Sequence, residues 1–183
     1  MKKILLCLFL LLTTSVCFAY ESPRWVSQPI NVYIPPNYGA FSKWMKQSFI
    51  DWQNTSKGLV RFEFVNHYSN ANIKVEFVDY VTNCNSPEAV GCAHTWTRGL
   101  NYCDALITIG TKQSVVINKN GRPYKHETYR NPHNIYGAML HEVGHALGLD
   151  HSEDPNSIMF SYDLPTLQYL TQEDMRLLYK KYH

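Results

Sequence analysis

Apolar and polar residues alternate in three short runs: Ile30, Val32 and Ile34; Val60, Phe62 and Phe64; Ile73, Val75 and Phe77. A two-residue period places one set on a single face, so each run predicts a half-buried strand. Pro35-Pro36 ends the first run, and Asn70 to Asn72 supplies turn chemistry before the third. Between the first two, Phe41, Trp44, Met45, Ser48, Phe49 and Trp52 recur every three or four residues. That spacing predicts a helix over about 41–55, with Gly58 suited to its C-terminal end. Residues 82–104 are loop-rich, with a short strand predicted from Gly91 to Thr97. Ala105 to Ile109 predicts a further strand, and the polar stretch 111–131 carries an Asn120-Gly121 turn signal and Pro123. Next, Ile135, Met139, Val143 and Leu147 recur every fourth residue. They predict a helix over about 132–147, with Asn131 as N-cap and Pro132 in the first turn. A last helix is predicted over about 171–182, with Thr171 as N-cap and Asp174 at the third helical position. This order of elements gives an α/β (α+β) domain built on one twisted sheet.

The first 19 residues follow a different pattern. Lys2 and Lys3 precede an apolar run from Ile4 to Leu12, and Cys17-Phe18-Ala19 forms a small-residue end. This is the pattern of a secretory signal peptide cleaved after Ala19. The whole chain of 183 residues has a net charge of +2. Without Lys2 and Lys3, residues 20–183 carry no net charge, because the remaining Lys and Arg equal the 15 Asp and Glu. A neutral chain lacks the electrostatic footprint of a nucleic-acid binder. No later segment is apolar enough to span a bilayer, so no membrane association is expected after cleavage. The expected organisation is a signal peptide at 1–19 and one domain at 20–183, secreted or periplasmic.

Three cysteines remain after cleavage: Cys84, Cys92 and Cys103. An exported chain can keep a disulfide. Cys84–Cys92 is the favoured pairing, with Cys92–Cys103 as the alternative. Cys103 shares strand parity with Ala105, Ile107 and Ile109, which predicts a buried free thiol.

The run from His141 to His151 reads H-E-x-x-H-x-x-G-x-x-H. His141 and His145 lie four residues apart on a helix, so both imidazoles can reach one ion. Glu142 is angularly displaced and stands beside that ion rather than on it. Gly148 ends the helix and permits a backbone reversal that returns His151 as a third ligand. A structural zinc usually has four protein ligands, whereas three imidazoles leave one position open, as in a catalytic site. Glu142 is then the candidate general base.

The extended motif is the signature of the metzincin metallopeptidases, and Ser152 after the third histidine resembles the matrixins. Ser157-Ile158-Met159-Phe160 resembles the family's Met-turn, with Met159 as an apolar floor beneath the metal. Arg24-Trp25 with Ile30 to Ile34, and Leu170 to Tyr179, resemble the opening strand and closing helix of a matrixin catalytic domain. The resemblance implies a mostly parallel five-stranded sheet with an antiparallel edge strand, an active-site helix and a C-terminal helix. It implies one catalytic Zn2+ held by His141, His145 and His151, and a protein or peptide substrate bound extended along an edge strand. Gly91 to Trp96 is the candidate edge. The implied function is a secreted zinc endopeptidase acting as a monomer. The alternatives are a catalytically weak peptide-binding module on the same scaffold, or a zinc hydrolase with a non-peptide substrate. No pro-segment, cysteine switch or hemopexin-like domain is read in the sequence. His94 matches a structural-zinc histidine of vertebrate matrixins, but its upstream partners are missing, and a surface histidine is expected. Ca2+ has no readable site. Tyr162, three residues after Met159, is expected to pack rather than ligate.

Overall fold

The computed structural model describes residues 22–84, 86, 89–119, 121–161 and 167–183. The expected signal peptide at 1–19 and the expected packing of Tyr162 lie outside the described residues.

The alternating runs become β1 (Ile30–Tyr33), β2 (Phe62–Phe64) and β3 (Ile73–Val78), joined by β4 (Gly91–Arg98) and β5 (Asn101–Gly110). Their order in the sheet is β2-β1-β3-β5-β4. The first four pair in parallel, while β4 runs antiparallel to β5 and forms the outer edge. The expected mixed five-stranded sheet is therefore present. Parallel neighbours need a crossover, and α1 (Ala40–Thr55) provides the one between β1 and β2.

The core lies between the sheet and two helices. Ile30, Val32, Ile73, Val75, Ile107 and Ile109 are buried from the strands. Met45, Phe49 and Trp52 are buried from α1, and Met139 and Val143 from α2 (Tyr136–Ala146). Each large apolar side chain so placed contributes about 1.5–3 kcal/mol relative to exposure. Two indole N–H groups tie α2 in place: Trp52 donates to the Leu140 carbonyl at 2.9 Å and Trp25 to the Ala146 carbonyl at 2.8 Å. Gly144 makes the packing possible. A Cβ there would overlap the Met159 sulfur and stand 3.1 Å from the Trp52 ring.

α3 (Gln172–Tyr182) closes the chain behind a capping box, in which Thr171 and Asp174 satisfy each other's backbone N–H groups. Cys84 and Cys92 form the favoured disulfide, which clips the start of β4 to the preceding loop.

Two expectations are corrected. The helix expected over 132–147 begins at Tyr136 and has Ile135, not Asn131, as its N-cap. The Asn131 side chain instead accepts from the His133 N–H two residues on, and the chain turns through i to i+3 bonds before the helix starts. Cys103 is exposed, not buried. A register shift falls where Trp96 pairs with Asp104 and Thr97 with Tyr102, so Cys103 is the extra residue of a β-bulge and loses the parity of Ala105. Its thiol donates to the Trp96 carbonyl at 3.4 Å. The polar stretch after β5, for which no element is predicted, is a hairpin of β6 (Lys112–Lys119) and β7 (Arg122–Tyr129), which among the described residues pair only with each other. Neither strand is buried deeply enough to alternate apolar with polar residues. Val116 and Tyr129 are about two-thirds exposed, at 67% and 69%.

Candidate metal centre

α2 ends by a route that builds the site. Gly148 takes φ +90°, and its N–H donates to the His145 carbonyl while the Leu149 N–H donates to that of Gly144. This is a Schellman cap, and glycine adopts its left-handed turn without strain. A Cβ at Gly148 would also lie 2.6 Å from the Tyr102 ring. The reversal carries Asp150 out of the helix and returns His151 toward His145.

The three histidines meet as the spacing predicts. The His145 Nε2 lies 2.9 Å from that of His141 and 3.2 Å from that of His151. Each of the first two imidazoles is oriented through its other nitrogen. The Nδ1–H of His141 donates to the Ile158 carbonyl at 2.7 Å, and that of His145 to the Leu149 carbonyl at 2.8 Å. A carbonyl can only accept, so Nδ1 carries the proton and Nε2 presents a lone pair inward. Burial, reinforced by the neighbouring His145, pushes the His141 imidazolium down to about pH 4 and favours this neutral state. His145 is lowered by burial as well. These three side chains could hold a metal ion, and among the described residues no other three His, Cys, Asp or Glu side chains converge in this way.

The loop beneath is anchored from α3. Asp174 is fully buried, and its Oδ1 accepts from the Ser157 hydroxyl at 2.6 Å and the Ile158 N–H at 3.0 Å. Its Oδ2 accepts from the Thr171 N–H and hydroxyl at 2.7 and 2.9 Å. The same Ile158 whose carbonyl orients His141 is thus held by α3. Met159 is fully buried against Gly144.

Glu142 is 7% exposed, and burial pushes its carboxyl up to about 8. It packs onto the backbone of β4. A Cβ at Gly91 would stand 2.5 Å from its Cγ and 2.8 Å from its Oε1. Gly91, Cys92, Ala93 and Thr95 line the same cleft as the three histidines, in a cavity of about 1080 Å³. The candidate edge strand therefore forms one wall beside the histidines. His94 does not join them, since its Nε2–H donates to the Asn83 carbonyl at 2.9 Å.

Sequence reasoning did not single out Gly91, Gly144 or Asp174 as builders of this site. For Asp174 only its place in the helix cap was readable. The glycines gave no signal, because each matters through a neighbour distant in sequence.

The sequence profile described as Matrixin matches residues 34–183. A protein named "Probable matrix metalloproteinase 095L" from Invertebrate iridescent virus 3 is 27% identical over 162 residues, 85% of this chain and 39% of that protein. Macrophage metalloelastase of Oryctolagus cuniculus is 49% identical over 47 residues, 24% of this chain and 10% of its own length. Matrix metalloproteinase-A of Caenorhabditis elegans is 48% identical over 40 residues, 22% of this chain and 8% of its own. The chain spans about two-fifths or less of these relatives.

Proposed function

The chain belongs to the matrixin family of metallopeptidases, and on that premise we propose that residues 20–183 are the catalytic domain of a secreted zinc endopeptidase. In this reading His141, His145 and His151 bind the metal and Glu142 is the general base. The observation that carries it is the convergence of the Nε2 atoms. Two neutral imidazole nitrogens facing each other at 2.9 Å direct lone pair at lone pair. That arrangement is repulsive until a cation is shared between them.

Zinc fits the donor set. A tetrahedral zinc with Zn–N bonds of ~2.0–2.1 Å holds its nitrogens about 3.3 Å apart, close to the spacings of 2.9 and 3.2 Å. When bound, it supplies a lowered pKa for water and polarisation of a carbonyl. The chain's own residues do the rest. The exposed edge of β4 pairs with the backbone of an extended peptide and lays it across the cleft. Glu142, held against Gly91 and ionised once a cation beside it offsets its burial, would take the proton of the attacking water and pass it to the nitrogen of the leaving amine. Its buried position keeps the proton on this one carboxyl between the two steps. The Nδ1 hydrogen bonds of His141 and His145 fix the rings throughout, so no ligand has to reorient.

Export is part of the same proposal, resting on the pattern of residues 1–19. Among the described residues no helix is long and apolar enough to cross a membrane. The test is digestion of a diverse peptide library by the protein lacking residues 1–19, with and without chelator, read by mass spectrometry. Cleavage of internal peptide bonds that stops on chelation is expected. Zinc binding without cleavage of any peptide would instead favour the binding-module alternative.

A further inference from the structure

The hairpin after β5 contributes to the cleft. β5 ends at Gly110, whose N–H donates to the Val90 carbonyl at 2.8 Å, beside Gly91 at the start of β4. One residue on, the Thr111 carbonyl accepts from the Arg130 N–H at 2.7 Å. Both feet of the hairpin therefore stand at the Gly91 end of the cleft. Gln113, Ser114 and Arg130 line that end together with Tyr80.

Arg130 is unusual among these residues. It is the one Lys or Arg among the described residues lining the cleft. Its Nε–H donates to the Lys112 carbonyl at 3.0 Å and an Nη1–H to Gln113 Oε1 at 3.4 Å. These two bonds aim the guanidinium and use two of its five donors. The nearby acids are engaged elsewhere: Asp79 pairs with Lys112 at 2.7 Å, and Glu127 accepts from the Tyr80 hydroxyl. Among the described residues Arg130 forms no ion pair. Partial burial lowers its pKa, and the neighbouring Tyr80 opposes that effect.

We infer that Arg130 determines specificity in this cleft by receiving a carboxylate of the bound peptide, from an acidic side chain or a C-terminus, at the Gly91 end. The inference rests on the endopeptidase reading for its setting. A planar guanidinium with free donors matches a carboxylate's two oxygens, whereas a neutral amide offers one acceptor and no charge.

The experiment uses zinc-loaded protein and matched peptides. Glu replaces Gln at each of six positions around a cleaved bond, and each C-terminus is made as acid and as amide. A preference of about tenfold in kcat/KM for the acidic member is expected at one position or at the free terminus, weakening with added salt. The scan separates an internal side chain from a terminal carboxylate. In Arg130→Gln the ratio should fall to within about twofold, and Arg130→Lys should keep part of it. The same ratio should appear in the affinities of fluorescein-labelled peptides for the Glu142→Gln protein. A ratio within twofold at every position, or one that Arg130→Gln retains, overturns the inference. If Arg130→Gln does not fold, a wild-type ratio insensitive to salt overturns it. Neutral peptides cleaved without an acidic preference sink the inference alone. An Arg130-dependent affinity ratio with no hydrolysis of any peptide sinks the endopeptidase reading alone.

Discussion

Replacing Asp174 by Asn tests how the far helix supports the metal centre. The carboxylate accepts four hydrogen bonds in a fully buried site, two on each oxygen. Asparagine keeps the shape but turns one acceptor oxygen into an NH2 group. Either orientation of the amide then leaves a backbone N–H, of Ile158 or of Thr171, facing another donor. The facing hydroxyl can rotate, but the backbone N–H cannot. An orphaned buried donor costs about 1–3 kcal/mol, and loss of charge from the remaining bonds about 1 kcal/mol more. The expected loss of stability is about 3 kcal/mol, or roughly 6–12 °C in Tm for a domain of this size. Because the Ile158 carbonyl orients His141 at 2.7 Å, metal affinity should fall as well, by about 10–100-fold. Urea unfolding of the metal-free protein and competition with a metal indicator measure the two effects. Thr171→Ala is the control: it should cost about 1 kcal/mol as a lost cap and leave metal affinity intact. An Asp174→Asn protein that loses less than about 1 kcal/mol and binds metal normally would refute the coupling.

Gly91→Ala should keep the metal but lose at least tenfold in kcat/KM, because the added Cβ displaces the Glu142 carboxyl; unchanged turnover would contradict that contact. Reduction of Cys84–Cys92 opens a loop of sequence separation 8 and should cost about 2.5 kcal/mol in urea unfolding, so an unchanged midpoint would mean the clip is not stabilising. The pH dependence of the metal-free site is read from His141 and Glu142, with His145, also lowered by burial, acting in the same direction as His141. His141 is depressed to about 4 from 6.5, so its contribution is present above pH 6.5 and lost as pH falls toward 4. Glu142 is raised to about 8 from 4.5, so its contribution is present below pH 4.5 and lost as pH rises through 8. Between pH 6.5 and 8 only the second changes, and the urea midpoint should fall. A rising midpoint there would show that Glu142 is not held neutral by burial.

The central elements were legible because their signals are local. Period-two runs gave β1 to β3, the apolar face of α1 gave that helix, and the His141 to His151 spacing gave the metal cluster with its glycine turn. What escaped was decided by contacts between distant residues. The β6–β7 hairpin buries neither face, so no alternation marks its strands, although its Asn120-Gly121 turn signal was visible. Parity failed at Cys103 because a bulge inserts a residue, and a bulge leaves no mark in composition. Gly91, Gly144 and Arg130 take their importance from Glu142, Met159 with Trp52, and the cleft wall respectively, none of which is a sequence neighbour.

The central claim is that Glu142 moves the proton while the three histidines hold the zinc. Zinc content and kcat/KM of Glu142→Gln beside the wild type test it most directly. One zinc per chain in both proteins, with kcat/KM lower by on the order of 10³ in the variant, is the predicted result. Hydrolysis by Glu142→Gln at the wild-type rate, or wild-type hydrolysis that persists once zinc is stripped, would contradict it.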